Sequence, residues 1–258
     1  MFIKFILNKP YKHIIRGVTI MKPIIGIVGR TNKVEYNKYK IIVNDNHRRA
    51  VIACGGIPIS ILPTQNIEYE KINDGKTNQP LNQEEQDDII RVIKMCNGVL
   101  LQGGYYSYYY DEFIAKYCLE NDIPIFGTCL GMQILAAVDC NTSRKKNTQL
   151  IKSEINHNQY ENNYAHDIII NKESFLYKII GKEKIKVNSR HKYSIASLNQ
   201  AKNVAESEDG IIEAIEFQNN KFAIGVQWHP EDLFEMDEIM LKIYHAFIDT
   251  ASKNVTTE

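Results

Sequence analysis

No charge of one sign predominates in this 258-residue chain: 31 lysines and arginines face 31 aspartates and glutamates, a formal net charge of zero. That balance removes the electrostatic case for a general nucleic-acid binder or a polybasic membrane protein. Apolar runs long enough to matter are lacking too, since none approaches the ~20 residues of a membrane span. The five cysteines, at positions 54, 96, 118, 129 and 140, lack the tight paired spacing of a disulfide framework or a zinc site. This suits a reducing, cytoplasmic setting in which most cysteines act as small buried hydrophobes and at most one is special. The first 21 residues lack the cleavage site of a signal peptide: the run FIKFIL is broken by Lys4 and followed by Asn8, Lys9 and Pro10. Internal repeats and a clean linker are also missing, so one domain is the economical reading.

What the chain has is alternation. Apolar runs at 24–28, 57–62, 98–102 and 123–126 read as buried strands. Between them, helical spacing predicts helices over 39–54, 83–96, 110–120 and 130–138. Strand and helix in turn with short connections predict an α/β fold, a doubly wound and mostly parallel sheet with flanking helices. Residues 66–82 read as a loop and 141–165 as a long surface loop. A small late β region follows, with short runs at 166–170, 186–188, 210–217 and 222–227, and then a final amphipathic helix over 231–251. The expected organisation is an extension over 1–21 (disordered, or translated from an upstream start, since Met21 precedes a clean strand), one domain over 22–252, and a tail over 253–258.

The sharpest chemical signal is Gly127-Thr128-Cys129-Leu130-Gly131-Met132-Gln133, a buried strand that passes through Gly-x-Cys-x-Gly directly into a helix. This is the logic of a nucleophile elbow, with glycines where the backbone is tight. The cysteine stands at the carboxyl edge of the sheet, where open α/β folds bind ligands, and at a helix N-terminus, whose dipole favours negative charge. The N–H of Leu130 is placed to face a developing oxyanion. The competing reading is a buried cysteine in a tight turn. A thiol nucleophile needs a base, and Gln227-Trp228-His229-Pro230-Glu231 offers one: His229 after a strand, with Glu231 two positions on to orient the imidazole. Taken alone, His229 also reads as an ordinary surface histidine. The two motifs lie a hundred residues apart, so only the fold brings them together.

GTCLGMQ and QWHPE together resemble the class I glutamine amidotransferase superfamily. PIIGIVGRT (23–31), AVIACGGIPISILP (50–63), NGVLLQGG (97–104), VNSRH (187–191) and EDGIIEAIE (208–216) resemble its γ-glutamyl-GABA hydrolase branch. The resemblance spans roughly 22–250 and implies a flavodoxin-like sheet. It implies Cys129 as nucleophile, His229 as general base and acid, and Glu231 as the orienting acid. The N–H groups of Gly104 and Leu130 would form the oxyanion hole, with Gly103 shaping the loop. Gln133 would lie near the substrate, and Ser189, Arg190 and His191 would line the pocket mouth, although Arg190 also reads as a solvated surface charge.

Four departures from the branch fall at substrate-facing positions. Tyr105-Tyr106-Ser107-Tyr108-Tyr109-Tyr110 replaces its acidic loop, Leu130 follows the nucleophile, His191-Lys192-Tyr193 replaces His-His-Gln, and 141–165 lacks its glycine-rich segment. The tyrosines read as an aromatic lid, a stacking surface or an exposed loop without a role.

The expected function is cysteine-dependent hydrolysis of a γ-glutamyl amide through a thioester, by a stand-alone hydrolase with no metal or organic cofactor. One alternative is a glutaminase subunit that delivers ammonia to a separate synthase partner. Another is a degenerate ligand-binding or regulatory protein on the same scaffold. The oligomeric state stays open, a homo-oligomer included.

Overall fold

The computed structural model describes residues 14–15, 18–19, 21–33, 39–67, 79–161 and 163–255. Within the expected 1–21 extension, β1 (Ile14–Ile15) and β2 (Val18–Thr19) pair as a short antiparallel ribbon. Met21 is the one further described residue of that segment, and the rest lies outside the described residues. So do 68–78 of the expected 66–82 loop.

From there the chain alternates as its apolar periodicity predicts. β3 (Ile24–Val28) leads to a small hairpin of β4 (Arg30–Lys33) and β5 (Tyr39–Ile42). Then come α1 (Asp45–Ala53), β6 (Ile57–Ile61), α2 (Gln83–Ile93), β7 (Gly98–Leu101), α3 (Tyr109–Glu120), β8 (Ile125–Thr128) and α4 (Leu130–Asp139). The second half supplies β9 (Thr148–Leu150), β10 (His166–Ile170), α5 (Phe175–Ile180), β11 (Lys184–Val187), β12 (Tyr193–Ile195), β13 (Lys202–Ser207), β14 (Ile212–Glu216), β15 (Ala223–Val226) and α6 (Glu238–Ser252).

Among the described residues, nine strands form one sheet in the order β11-β10-β13-β14-β15-β8-β7-β3-β6. The half from β15 to β6 is parallel and the half from β11 to β15 antiparallel. The central parallel strands β7, β8 and β15 are buried at every residue, as strands covered on both faces must be. Side chains alternate between two cores. Ile25, Ile27, Leu100, Phe126 and Ile224 pack under α1 and α6, while Val28, Val99, Leu101 and Ile125 pack under α2, α3 and α4. The edges are protected by composition. Pro58 lies in edge strand β6, and edge strand β11 alternates exposed lysines with buried Ile185 and Val187.

Three expectations are corrected. The helix expected over 39–54 is β5 followed by α1. Asn44 caps α1 by accepting from the Asn46 N–H at 2.9 Å, which stops the helix from extending back through the apolar Tyr39–Ile42. The helix expected from 231 begins at Glu238, because Pro230–Asp232 forms a separate 3-10 turn and Asp237 caps α6 through the Ile239 N–H at 2.9 Å. The 141–165 segment is more than surface loop, since it contains β9, which pairs with β12, and buries Asn147 and His157.

The tightest packing lies where α4 crosses the sheet. A Cβ placed on Gly131 would fall onto the Leu101 carbonyl of β7, whose carbon would be 2.8 Å away, and one on Gly127 would stand 2.7 Å from the Gly131 carbonyl carbon. These neighbours are backbone and cannot swing aside. Gly131→Ala is therefore expected to destabilise the protein by about 1–3 kcal/mol, read as a lowered urea midpoint with the slope unchanged.

Candidate active site

The parallel register brings the two motifs together. β8 pairs with β15 so that Thr128 lies beside Val226, and both chains then leave the sheet at the same edge. Cys129 follows β8 directly and His229 lies three residues past β15. On the other side of β8, β7 ends at Leu101 and delivers Gly103 and Gly104. Three adjacent parallel strands thus present the candidate nucleophile, base and oxyanion loop at their carboxyl ends.

Cys129 has φ +50° and ψ −104°, a conformation that costs a non-glycine residue about 1–3 kcal/mol. It is held there because its N–H donates to the Val226 carbonyl at 2.8 Å and its own carbonyl accepts from the Gln133 N–H at 3.2 Å. Leu130 is the first residue of α4, so its N–H has no acceptor within the helix. Gly103 packs against the other two parts of the site: a Cβ there would meet His229 Cε1 at 2.9 Å and Cys129 Cβ at 3.5 Å. Gly104 stands between Arg30 and Leu130, with an added Cβ 3.1 Å from Arg30 Cδ and 3.2 Å from Leu130 Cδ2.

His229 Nδ1 lies 2.7 Å from Glu231 Oε1, which turns Nε2 away from that acid, and the ring lies within the electrostatic reach of Cys129. Burial alone would keep the ring neutral. The charges of Glu231 and Cys129 outweigh that and raise the His229 pKa to about 10. For Glu231, burial would raise the pKa, but the imidazoles of His47 and His229 hold it far below the usual carboxylate range. Burial pushes the thiols of Cys54 and Cys118 well up and that of Cys96 to about 11.

The Peptidase C26 family matches residues 109–231, which contain both motifs. A glutamine amidotransferase-like protein of Rickettsia prowazekii is 30% identical over 91% of this chain and 99% of that relative. The chain belongs to the glutamine amidotransferase-like family. The CTP synthase of Chlamydia abortus is 27% identical over 59% of this chain, which spans only 34% of that longer protein. In fold, the chain is similar to the Trypanosoma brucei CTPS glutaminase domain solved with bound acivicin, with a TM-score of 0.60 at 18% identity over 91% of this chain and 96% of that one. The α/β, flavodoxin-like fold read from the sequence is the fold of these glutamine amidotransferase domains. Among the described residues, no helix is long and apolar enough to cross a membrane.

The remaining family positions lie at different depths. Gln133 is buried, donates to the Tyr193 carbonyl and Gln227 Oε1 at 3.1 Å each, and accepts from Arg144 Nη1 at 3.3 Å. Ser189 is fully buried, with its hydroxyl donated to the His157 carbonyl at 2.8 Å. His191 is also buried and turns towards Glu213. The structure therefore places neither Ser189 nor His191 at an open mouth. Arg190 is paired with Asp232 and lies 5.9 Å from the Tyr160 ring centroid. The tyrosine run divides as its length requires. Tyr108 and Tyr110 are buried and stacked with centroids 5.6 Å apart, while Tyr105 and Tyr106 are exposed and Tyr105 hydrogen-bonds with Tyr160.

Five further residues surround the site. His47 places Nε2 3.3 Å from Glu231 Oε1 and Nδ1 2.6 Å from the Tyr244 hydroxyl. Asn188 clamps the His229 backbone, accepting its N–H and donating to its carbonyl, both at 2.8 Å. Arg30 joins the Gln102 carbonyl to the buried Asp111, whose other oxygen accepts from the Tyr108 N–H at 2.9 Å. Arg144 lies within the electrostatic reach of Cys129. Asn188 stands inside the quoted VNSRH motif; His47, Arg30, Asp111 and Arg144 carry no local signal.

Two outcomes are expected. His229→Gln should lose the linkage that the raised pKa provides. The wild-type ring takes up a proton on folding, so this stabilisation is whole below about 6.5 and lost as the pH rises through about 10. Urea midpoints at pH 6.5, 8 and 9.5 should show the gap between wild type and variant closing with pH. His47→Ala should cost about 1–3 kcal/mol for each buried partner left behind, Glu231, Tyr244 and Thr128, and lower kcat more than it raises KM.

Proposed function

We infer that this protein hydrolyses a γ-glutamyl amide through a thioester on Cys129, acting as a stand-alone enzyme. The observation that carries the reading is Cys129 on a strained elbow beside the hydrogen-bonded His229–Glu231 pair, at the ends of adjacent strands. In this reading the Cys129 thiolate attacks the amide carbonyl and the carbonyl π electrons move to oxygen. The N–H groups of Gly104 and Leu130 face that oxyanion, each donor contributing about 2.7–4 kcal/mol. As the C–N bond breaks, the His229 imidazolium gives its proton to the departing amine. The raised His229 pKa suits this, because the ring is already charged at neutral pH. The ring, now neutral, removes a proton from water, which attacks the thioester. Glutamate leaves, and the thiolate and imidazolium are restored.

A second reading is a glutaminase subunit that delivers ammonia to a separate synthase. It is supported by the likeness to CTP synthase and by Leu130 after the nucleophile. A hydrolase turns over alone, whereas a glutaminase subunit stays nearly idle until its synthase binds. A degenerate binding protein forms no thioester at all.

Incubation with 6-diazo-5-oxo-norleucine, a reactive glutamine mimic, should give a single covalent adduct in intact-protein mass spectrometry, absent from Cys129→Ala. Cys129→Ala should also lower turnover of a γ-glutamyl amide by about a thousandfold or more. Wild-type turnover in that variant, with contaminating activity excluded, would sink the mechanism.

A further inference from the structure

Around β14 three histidines converge on one acid. Glu213 in β14 is fully buried, and His157, His166 and His191 are each more than nine-tenths buried around it. Glu213 Oε1 lies 3.2 Å from His157 Nδ1, 3.6 Å from His166 Nε2 and 3.5 Å from His191 Nε2. The four ligand atoms all lie within 4.8 Å of one another. None of these three nitrogens, and neither oxygen of Glu213, has a hydrogen-bond partner. Five unsatisfied polar atoms in one buried place are costly unless something joins them.

The outer nitrogens show what that something is. His157 Nε2 faces Asp209 Oδ2 at 3.0 Å, His166 Nδ1 faces the Asp167 carbonyl at 3.2 Å, and His191 Nδ1 faces the Tyr193 carbonyl at 3.2 Å. Each outer partner accepts only, so each ring directs an N–H outward, and with the inner nitrogen unprotonated, as a metal ligand requires, it turns a lone pair inward. Asp209 is itself fixed by the hydroxyls of Ser207, at 2.6 Å, and Ser153. Three lone pairs and a carboxylate facing one another repel unless a cation sits among them. Imidazoles held from behind by carboxylate or carbonyl acceptors are the usual outer support of a metal site.

We propose that His157, His166, His191 and Glu213 bind one structural Zn²⁺ ion. Ligand type and spacing both fit. Three imidazole nitrogens and one carboxylate oxygen suit zinc, and four protein ligands leave no open position for catalysis. With bonds of about 2.0–2.1 Å, ligands of a tetrahedral zinc stand roughly 3.3–3.4 Å apart. The separations from Glu213 Oε1 bracket that value. The ion would tie the 151–165 segment and the loop before β12 to the sheet. Those loops are already stitched by the His191 N–H to the His157 carbonyl at 2.8 Å and the Gln159 N–H to the Ser189 carbonyl at 2.9 Å. They carry Tyr160, Arg190 and the Asn188 clamp on His229, so metal occupancy would firm the backbone around the catalytic histidine without touching the reacting atoms.

The test uses the full chain, expressed without a polyhistidine tag. After dialysis against a weak chelator, mass spectrometry of the metal should find about one zinc per chain. Cys129→Ala should keep it, and Glu213→Gln should lose it together with the rise in melting temperature that Zn²⁺ gives the stripped protein. Should Glu213→Gln fail to fold, stripped wild type loaded with Co²⁺ gives a second readout: strong visible bands of a tetrahedral ion, with no thiolate charge-transfer band. Failure of the stripped wild type to take up Zn²⁺ would overturn the proposal. Uptake lost in Cys129→Ala, or a thiolate band with cobalt, would overturn it as well, by placing the metal at the nucleophile.

Discussion

The approach of α4 to the backbones of β7 and β8 is the constraint on which the active edge depends. Gly131 rests on the Leu101 carbonyl and Gly127 on Gly131, so the helix begins one residue after the strand stops. No relaxed connection covers that distance, and Cys129 takes the strained backbone that results. The same closeness places the Leu130 side chain against Gly104 and brings the strand ends of β7, β8 and β15 level. A side chain at either glycine would lift the helix and separate the nucleophile from the oxyanion loop together.

Buried carboxylates organise what surrounds this edge, and each draws a different set of groups around it. Glu231 lies between two imidazoles, His229 and His47, which hold it charged and fix the base. Asp111 pairs with Arg30, which also binds the Gln102 carbonyl, so the turn leading to Gly103 and Gly104 is braced from below. Glu213 gathers three histidines from three separate segments. Glu216, three residues further along β14, accepts from the Phe175 and Leu176 N–H groups at 2.9 and 3.2 Å and so anchors the start of α5. A charge buried in this way is expensive unless fully partnered, and its partners come from distant parts of the chain. These acids therefore fix loop positions that apolar packing leaves open.

That division explains what was legible in the sequence. The parallel half was readable because strands buried on both faces become uninterrupted apolar runs, as in IIGIV and GVLL. Cys129 and His229 were readable because each sits in a compact motif at a strand end. The antiparallel half was harder. β13 (KNVAES) and β12 (YSI) carry little apolar pattern, and α5 is a single capped turn and a half between Ser174 and Gly181. The helix expected over 39–54 failed because a single asparagine cap outweighs apolar spacing. His47, Arg144 and the histidines around Glu213 lie far apart in sequence and acquire meaning only through contact.

The reaction and the substrate are accordingly held by different physics. Nucleophile, base and oxyanion loop stand on three hydrogen-bonded strands, where a shift of one residue would move every side chain to the opposite face. Tyr105, Tyr160, Arg144 and Arg190 stand on loops whose positions rest on a few polar links: Gln133 to Arg144, Asp232 to Arg190, and Tyr105 to Tyr160. Such links can be exchanged singly without disturbing the sheet. Two of the four departures from the hydrolase branch, the tyrosine run and the 141–165 segment, contribute to this second set, Leu130 lies on its border, and His191-Lys192-Tyr193 leads into β12. On the proposed hydrolase reading, the scaffold thus constrains the attack by Cys129 on a carbonyl, while the choice of amine on the other side of that carbonyl is left to residues that the fold does not dictate.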